Sequence, residues 1–167
     1  MRRAILVALG LGLIALLMFP KPQLVIEDAK GGKKIAAFPL NWGEQFEICY
    51  IHSVDLTPVC EIFSLHWRHG IVLHETYFRK FGAGMGHWEG HGRVVDEGEW
   101  IKIKDIEKPL GRFLLRVGTQ GVDHTLRIGN TTLNLSKTLA GRLVVVKREM
   151  DALIRQIMRR GGGDHHG

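Results

Sequence analysis

Eleven residues beginning at position 82, GAGMGHWEGHG, place His87, Glu89 and His91 at alternate positions. In an extended segment alternate side chains project to one side, so these three offer two imidazoles and a carboxylate to a divalent metal. The stretch is no helical His-Glu-x-x-His site, because Trp88 rather than a glutamate follows His87 and the glycines oppose a helix. It is no phosphate loop either: the dinucleotide fingerprint needs a glycine where His87 stands, and the Gly-Lys-Ser/Thr of a Walker loop is absent. A glycine-rich surface loop with incidental histidines accounts for the same residues and is the reading we favour, with metal binding as its alternative.

Nucleophilic chemistry would take Ser53 as nucleophile, His52 or His124 as base and Glu61 or Glu75 as the orienting carboxylate. Only residue types support it. Ser53 lies in no Gly-x-Ser-x-Gly elbow, and neighbours such as His52 and Ser53 point to opposite faces of a strand. Cys49 and Cys60 bracket CYIHSVDLTPVC. An oxidising compartment favours joining them, which in the chain-entropy model would contribute about 3 kcal/mol, while two buried thiols on adjacent strands fit the same spacing.

The elements that must carry these groups read as strands. With 45% hydrophobic and 24% charged residues, 167 residues suit one globular core. After Pro20, short apolar runs are broken by Gly, Pro, Asn or Asp at intervals of about ten residues, the pattern of a single all-β domain, an antiparallel sandwich or barrel. Strands are predicted at 23–28, 34–40, 45–52, 59–67, 71–78, 100–106, 112–118, 123–129 and 131–135. Phe46, Ile48 and Tyr50 share one face, and Ile101 and Ile103 lie opposite Trp100, Lys102 and Lys104. KGGK at 30–33, RHG at 68–70, DEGE at 96–99 and IGNT at 128–131 are hairpin connectors.

Both termini depart from this pattern. Arg2 and Arg3 precede an uncharged apolar run from Ala4 to Phe19, the layout of a bacterial export signal. Residues 1–20 are therefore read as a signal peptide or a membrane anchor; the run ends without the small residues a signal peptidase needs, which favours the uncleaved anchor, and the lack of a cysteine directly after it argues against lipoprotein processing. The expected location is periplasmic or otherwise extracytoplasmic, with the chain anchored to the inner membrane. Leu139, Leu143, Val146, Met150, Leu153 and Ile157 suit one heptad helix, but the β-branched RLVVVK favours a last strand at 142–148, then an amphipathic helix over 149–160 and a disordered tail over 161–167. The formal charge of +6 falls to +4 without Arg2 and Arg3, too modest and too dispersed for nucleic acid. Weak attraction to anionic lipid explains the excess better, and no cofactor is implied.

Three ordered segments resemble a known family. YIHSVDLTPVCEIF at 50–63, HETYFRKFGAGMG at 74–86 and LLRVGTQGVDHTLRIG at 114–129 are similar to the pattern of domain of unknown function eighteen-fifty, with Ile51, His52, Ser53, Val54, Thr57, Pro58, Glu61, Glu75, Phe78, Phe81, Gly82, Ala83, Gly84 and His124 at matching positions. The resemblance implies a small exported protein serving a TAXI-type TRAP transporter, a tripartite uptake system driven by ion gradients. The implied role is a non-catalytic accessory whose partner is the transporter's receptor or membrane subunit. A small envelope hydrolase using metal or Ser/His chemistry is the alternative. The family pattern often has a proline soon after Gly-Ala-Gly, where this chain has Met85-Gly86-His87, and neither cysteine belongs to it.

If the 59–67 and 71–78 strands form a hairpin, Glu61 and Glu75 lie together near its open end, beside the connector holding Ser53. His52, Ser53, Thr57, Glu61, Glu75, Arg79 and the Gly82 and Gly84 backbone would then form one polar patch, with His124 as a further binding candidate. Such a patch is either a hydrogen-bonded buried network or a surface for a ligand or partner.

Overall fold

The computed structural model describes residues 9–12, 14, 17–54, 56–79 and 91–155. Among these residues eleven strands form one antiparallel sheet curled into a half-barrel. They are β1 (Pro20–Asp28), β2 (Lys34–Pro39), β3 (Gln45–Ile51), β4 (Pro58–His66), β5 (Gly70–Arg79), β6 (Arg93–Glu97), β7 (Trp100–Lys104), β8 (Lys108–Arg116), β9 (Thr125–Ile128), β10 (Thr131–Asn134) and β11 (Leu143–Ala152), with a four-residue helix α1 (Ser136–Leu139) before the last. The spatial order is β10-β9-β3-β4-β5-β8-β11-β1-β2, and β7 branches from β5 to carry β6.

Alternation builds the inner face. Phe46 and Ile48 of β3, Phe63 and Leu65 of β4, Leu24 and Ile26 of β1, and Val144 and Val146 of β11 meet in one core although they come from opposite ends of the sheet. Short turns receive local side-chain bonds: Asp28 Oδ1 accepts the amides of Lys30 and Gly31, and His66 Nδ1 accepts those of Arg68 and His69.

The curl has its corner in β8. Residues 108–111 pair with β5, whereas Arg112–Arg116 pair with β11, so this strand leaves one half of the sheet and enters the other. Gly111 (φ 67°) lies at the switch and Gly70 (φ 72°) faces it so closely that a Cβ at Gly70 would stand 2.4 Å from the Gly111 carbonyl oxygen.

All the predicted strands are present, and β6 is an additional one. The carboxyl end needs a correction. Residues 149–152 continue β11, because β1 supplies partners as far as Pro20↔Ala152, and helical residues begin only at 153. The remainder of the expected helix, from 156, lies outside the described residues, as does the 161–167 tail. At the amino end 9–12, 14, 17 and 18 are helical; among the described residues no helix is long and apolar enough to cross a membrane.

Candidate functional site

The β3–β4 hairpin organises the site, with a different chemistry on each face. Ile48 is opposite Glu61 and both point to the core side, as do Phe63 and Leu65 two and four residues on. No hydrogen bond or ion pair from a described residue reaches the Glu61 carboxylate, and desolvation raises its pKa above the ordinary glutamate value. Burial, and secondarily the Glu61 charge, push the Tyr50 phenol up. Tyr50 stacks on His124 at 5.2 Å between ring centroids. His124 is buried, its Nδ1 accepts the Gly118 amide at 3.0 Å, and burial lowers its pKa, which fixes a neutral ring with its proton on Nε2.

The connector from His52 to Thr57 closes this end. The His52 amide donates to the Thr57 carbonyl at 2.8 Å and the Leu56 amide to the His52 carbonyl at 2.9 Å, holding Leu56 at φ 52°. Thr57 Oγ1 is buried with no partner among the described residues. Val54 and Leu56 stand 80% and 76% exposed, large apolar groups presented to solvent on a tight loop.

On the outer face Cys49 pairs directly with Cys60, and the two are joined by a disulfide with Cα atoms 4.1 Å apart. The disulfide floors a groove of about 500 Å³ whose walls include Ile51, Pro58, Tyr77, Trp100, Thr125 and Arg127. Glu47 accepts from the Tyr77 hydroxyl and from Arg127 Nη1, the latter at 2.6 Å. Desolvation, then that hydrogen bond, raises the Tyr77 pKa. The groove's polar groups therefore hold one another, which suits recognition better than proton transfer.

The sequence model of the family described as Domain of unknown function (DUF1850) matches residues 46–135, more than half of the chain. The protein belongs to this DUF1850 family. Comparison with curated proteins and with solved structures gave no match. The DUF1850 match runs from β3 to β10, so it holds the hairpin, its disulfide, the groove, Glu61 and His124, and leaves β1, β2 and β11 outside.

The polar patch expected from the DUF1850 motifs is divided by a β-bulge. A regular hairpin turning at 68–70 would put Glu75 directly opposite Glu61. Instead the register shifts between Ile62 and Phe63, His74 becomes an extra residue in β5, Glu61 faces Thr76, and Glu75 faces Ile62 on the outer side. Glu75 there lies beside Tyr77 and Lys102, and Arg79 pairs with Glu99 at 3.2 Å on the surface. Ser53 is exposed on the connector, away from any histidine-serine relay among the described residues. Gly82 and Gly84 lie outside the described residues, as do His87 and Glu89 of the metal set; His91 is exposed just before β6.

The bulge also creates a triple that the sequence did not suggest. His74 Nε2 lies 2.8 Å from Ser64 Oγ and its Nδ1 2.8 Å from Glu107 Oε1. The order hydroxyl, imidazole, carboxylate is that of a nucleophile relay, yet Ser64 is only 5% exposed and lines neither the groove nor the basic recess near Arg148. Glu47 Oε, Cys49 Sγ and Cys60 Sγ come within 4.8 Å of one another, but the disulfide removes both sulfurs as thiolate ligands.

Proposed function

We propose that this protein is a non-catalytic exported accessory of a TAXI-type TRAP solute uptake system, tethered to the inner membrane and binding a transporter component or ligand. The transporter is taken from the family resemblance. The observation that favours a binding role is the exposed Val54 and Leu56 tip, fixed by two connector hydrogen bonds between the strands that flank the groove. Apolar groups held in a constrained loop beside an aromatic recess are the anchors a partner surface uses, because little entropy is lost when they are covered. A disulfide in the same hairpin is in keeping with an oxidising compartment outside the cytoplasm.

The test is a pull-down of tagged protein from membranes of its own host, with uptake measured in a deletion strain. Wild type should retain a transporter subunit, and Val54→Asp with Leu56→Asp should lower its recovery about tenfold, the effect of losing a central apolar anchor. Recovery of no subunit together with normal uptake in the deletion strain refutes the role.

A hydrolase remains as a second reading because of Ser64, His74 and Glu107. A fluorophosphonate probe separates the two. Labelling of wild type but not of Ser64→Ala supports the hydrolase, and no labelling of folded wild type leaves the triple a structural tie.

A further inference from the structure

A second surface lies at the end of the molecule where the apolar amino-terminal run enters the sheet. β1 starts at Pro20, and the Leu153 amide donates to the Phe19 carbonyl at 3.2 Å. β2 ends beside this point, since the Leu40 amide reaches the Pro22 carbonyl, and Trp42 follows two residues later. Trp42 bridges to Leu65, which places it next to the β4–β5 turn and Trp67. The two indoles, 42% and 63% exposed, are linked through Arg148: its guanidinium lies 5.6 Å from the Trp42 ring centroid, and its Nη1 donates to the Trp67 carbonyl at 2.7 Å. Arg68 lies 4.9 Å from the Trp67 ring centroid.

Between these residues is a recess of about 330 Å³ with Arg68, His69, Arg112, Lys147 and Arg148 around a floor of Gly70 and Gly111. Lys147 is neutralised by Glu27 at 2.6 Å and Glu149 at 3.1 Å. Arg68, Arg112 and Arg148 pair with no carboxylate among the described residues. Three arginines lining one recess, none of them paired with a carboxylate among the described residues, lower the cost of bringing an anion there, and guanidinium geometry matches phosphate oxygens. Exposed tryptophans beside arginines are the composition of a bilayer interface, where the ring lies at headgroup depth and the cation meets phosphate.

We infer that Trp42, Trp67, Arg68, Arg112 and Arg148 dock this end of the domain onto anionic phospholipid headgroups. The occupant follows from charge complementarity, and the apolar run that leads into β1 ends in Phe19, itself exposed. Such docking fixes the domain's orientation on the membrane, beyond merely keeping it near.

The experiment places the full chain in nanodiscs made with brominated phosphatidylcholine, with or without phosphatidylglycerol, and reads tryptophan quenching. Trp42→Phe with Trp67→Phe assigns the signal. Quenching of these two indoles should rise with phosphatidylglycerol and fall with added salt. Each guanidinium near an anionic surface is worth roughly a fivefold change, so Arg68→Gln, Arg112→Gln and Arg148→Gln together should weaken docking on the order of 100-fold. Replacement of the same three by lysine keeps the charge but not the planar fork, so docking should weaken less than with glutamine, which separates lost attraction from lost folding. Quenching that is equal in neutral and anionic discs overturns the inference and leaves the surface to a protein partner. Selective displacement by low inorganic phosphate, at matched ionic strength, also overturns it by assigning the recess to a small free anion.

Discussion

The Glu61 carboxyl lies on the core side of β4 without a hydrogen bond or ion pair from the described residues. Ionising it therefore costs more in the folded chain than in the unfolded one, and its folded pKa lies above the ordinary 4.5. A carboxyl shifted upward binds its proton more tightly when folded, so its contribution to stability is full below pH 4.5 and is lost as pH rises through the raised folded value. Glu61→Gln keeps the shape of the protonated acid and cannot ionise. The variant should melt higher than wild type at pH 7 and at the same temperature at pH 4, as thermal scans across this range would record. A variant that melts lower at pH 7 would mean that the charged form is held by a group outside the described residues. Ser64→Ala should cost about 1 kcal/mol in urea unfolding, the worth of one buried hydroxyl bond, since it removes only the contact to His74. The residue types at this site were readable in the chain, but their sides of the sheet were not. One extra residue, His74, sends Glu75 to the outer face and brings the Ser64 and Glu107 partners together, and no local propensity marks that bulge.

Elements with strict alternation were the legible ones. β3 and β7 show their inner faces as Phe46 with Ile48 and as Ile101 with Ile103, and the hairpin turns between β1 and β2, β4 and β5, and β9 and β10 carry glycine where the chain reverses. The elements that escaped have weaker signals. β6 is five residues long with no buried side chain, and the first half of β8 contains Pro109 and Gly111, which read as a break although this is the corner where the strand changes partners. β11 runs past its β-branched portion because β1 continues to pair with it as far as Ala152, a tertiary contact that overrides the helical pattern at Met150 and delays the helix to Leu153. Two measurements test this account. Gly70→Ala puts a Cβ 2.4 Å from a backbone oxygen at a positive φ, and the corner cannot relax away from it; urea unfolding should show a loss of more than about 2 kcal/mol. Reducing Cys49–Cys60, or changing both to Ala, should cost about 3 kcal/mol by the same assay, with no further loss when dithiothreitol is added to the double variant.

At the scale of the molecule, the family match and the folding unit have different boundaries. Residues 46–135 contain the hairpin and both of its faces, but the core that buries Phe46, Ile48, Phe63 and Leu65 also contains Leu24 and Ile26 from β1 and Val144 and Val146 from β11. Cutting at the family boundaries would strip the second half of β8 of its partner, exposing the amides and carbonyls of Arg112–Arg116, and would open the inner face to water. Because one core is shared by both halves of the curled sheet, the whole domain should unfold in one transition, with fluorescence and circular dichroism curves that coincide. A fragment of 46–135 should then give a collapsed amide spectrum in NMR even with its disulfide formed, whereas 20–155 should give the dispersion of a folded sheet. A well-dispersed spectrum from the short fragment would show that β1, β2 and β11 are an addition to an autonomous β3–β10 unit. In that case the Trp42, Trp67 and Arg148 surface, which draws on both sides of the boundary, would be separable from the groove that the family segment carries.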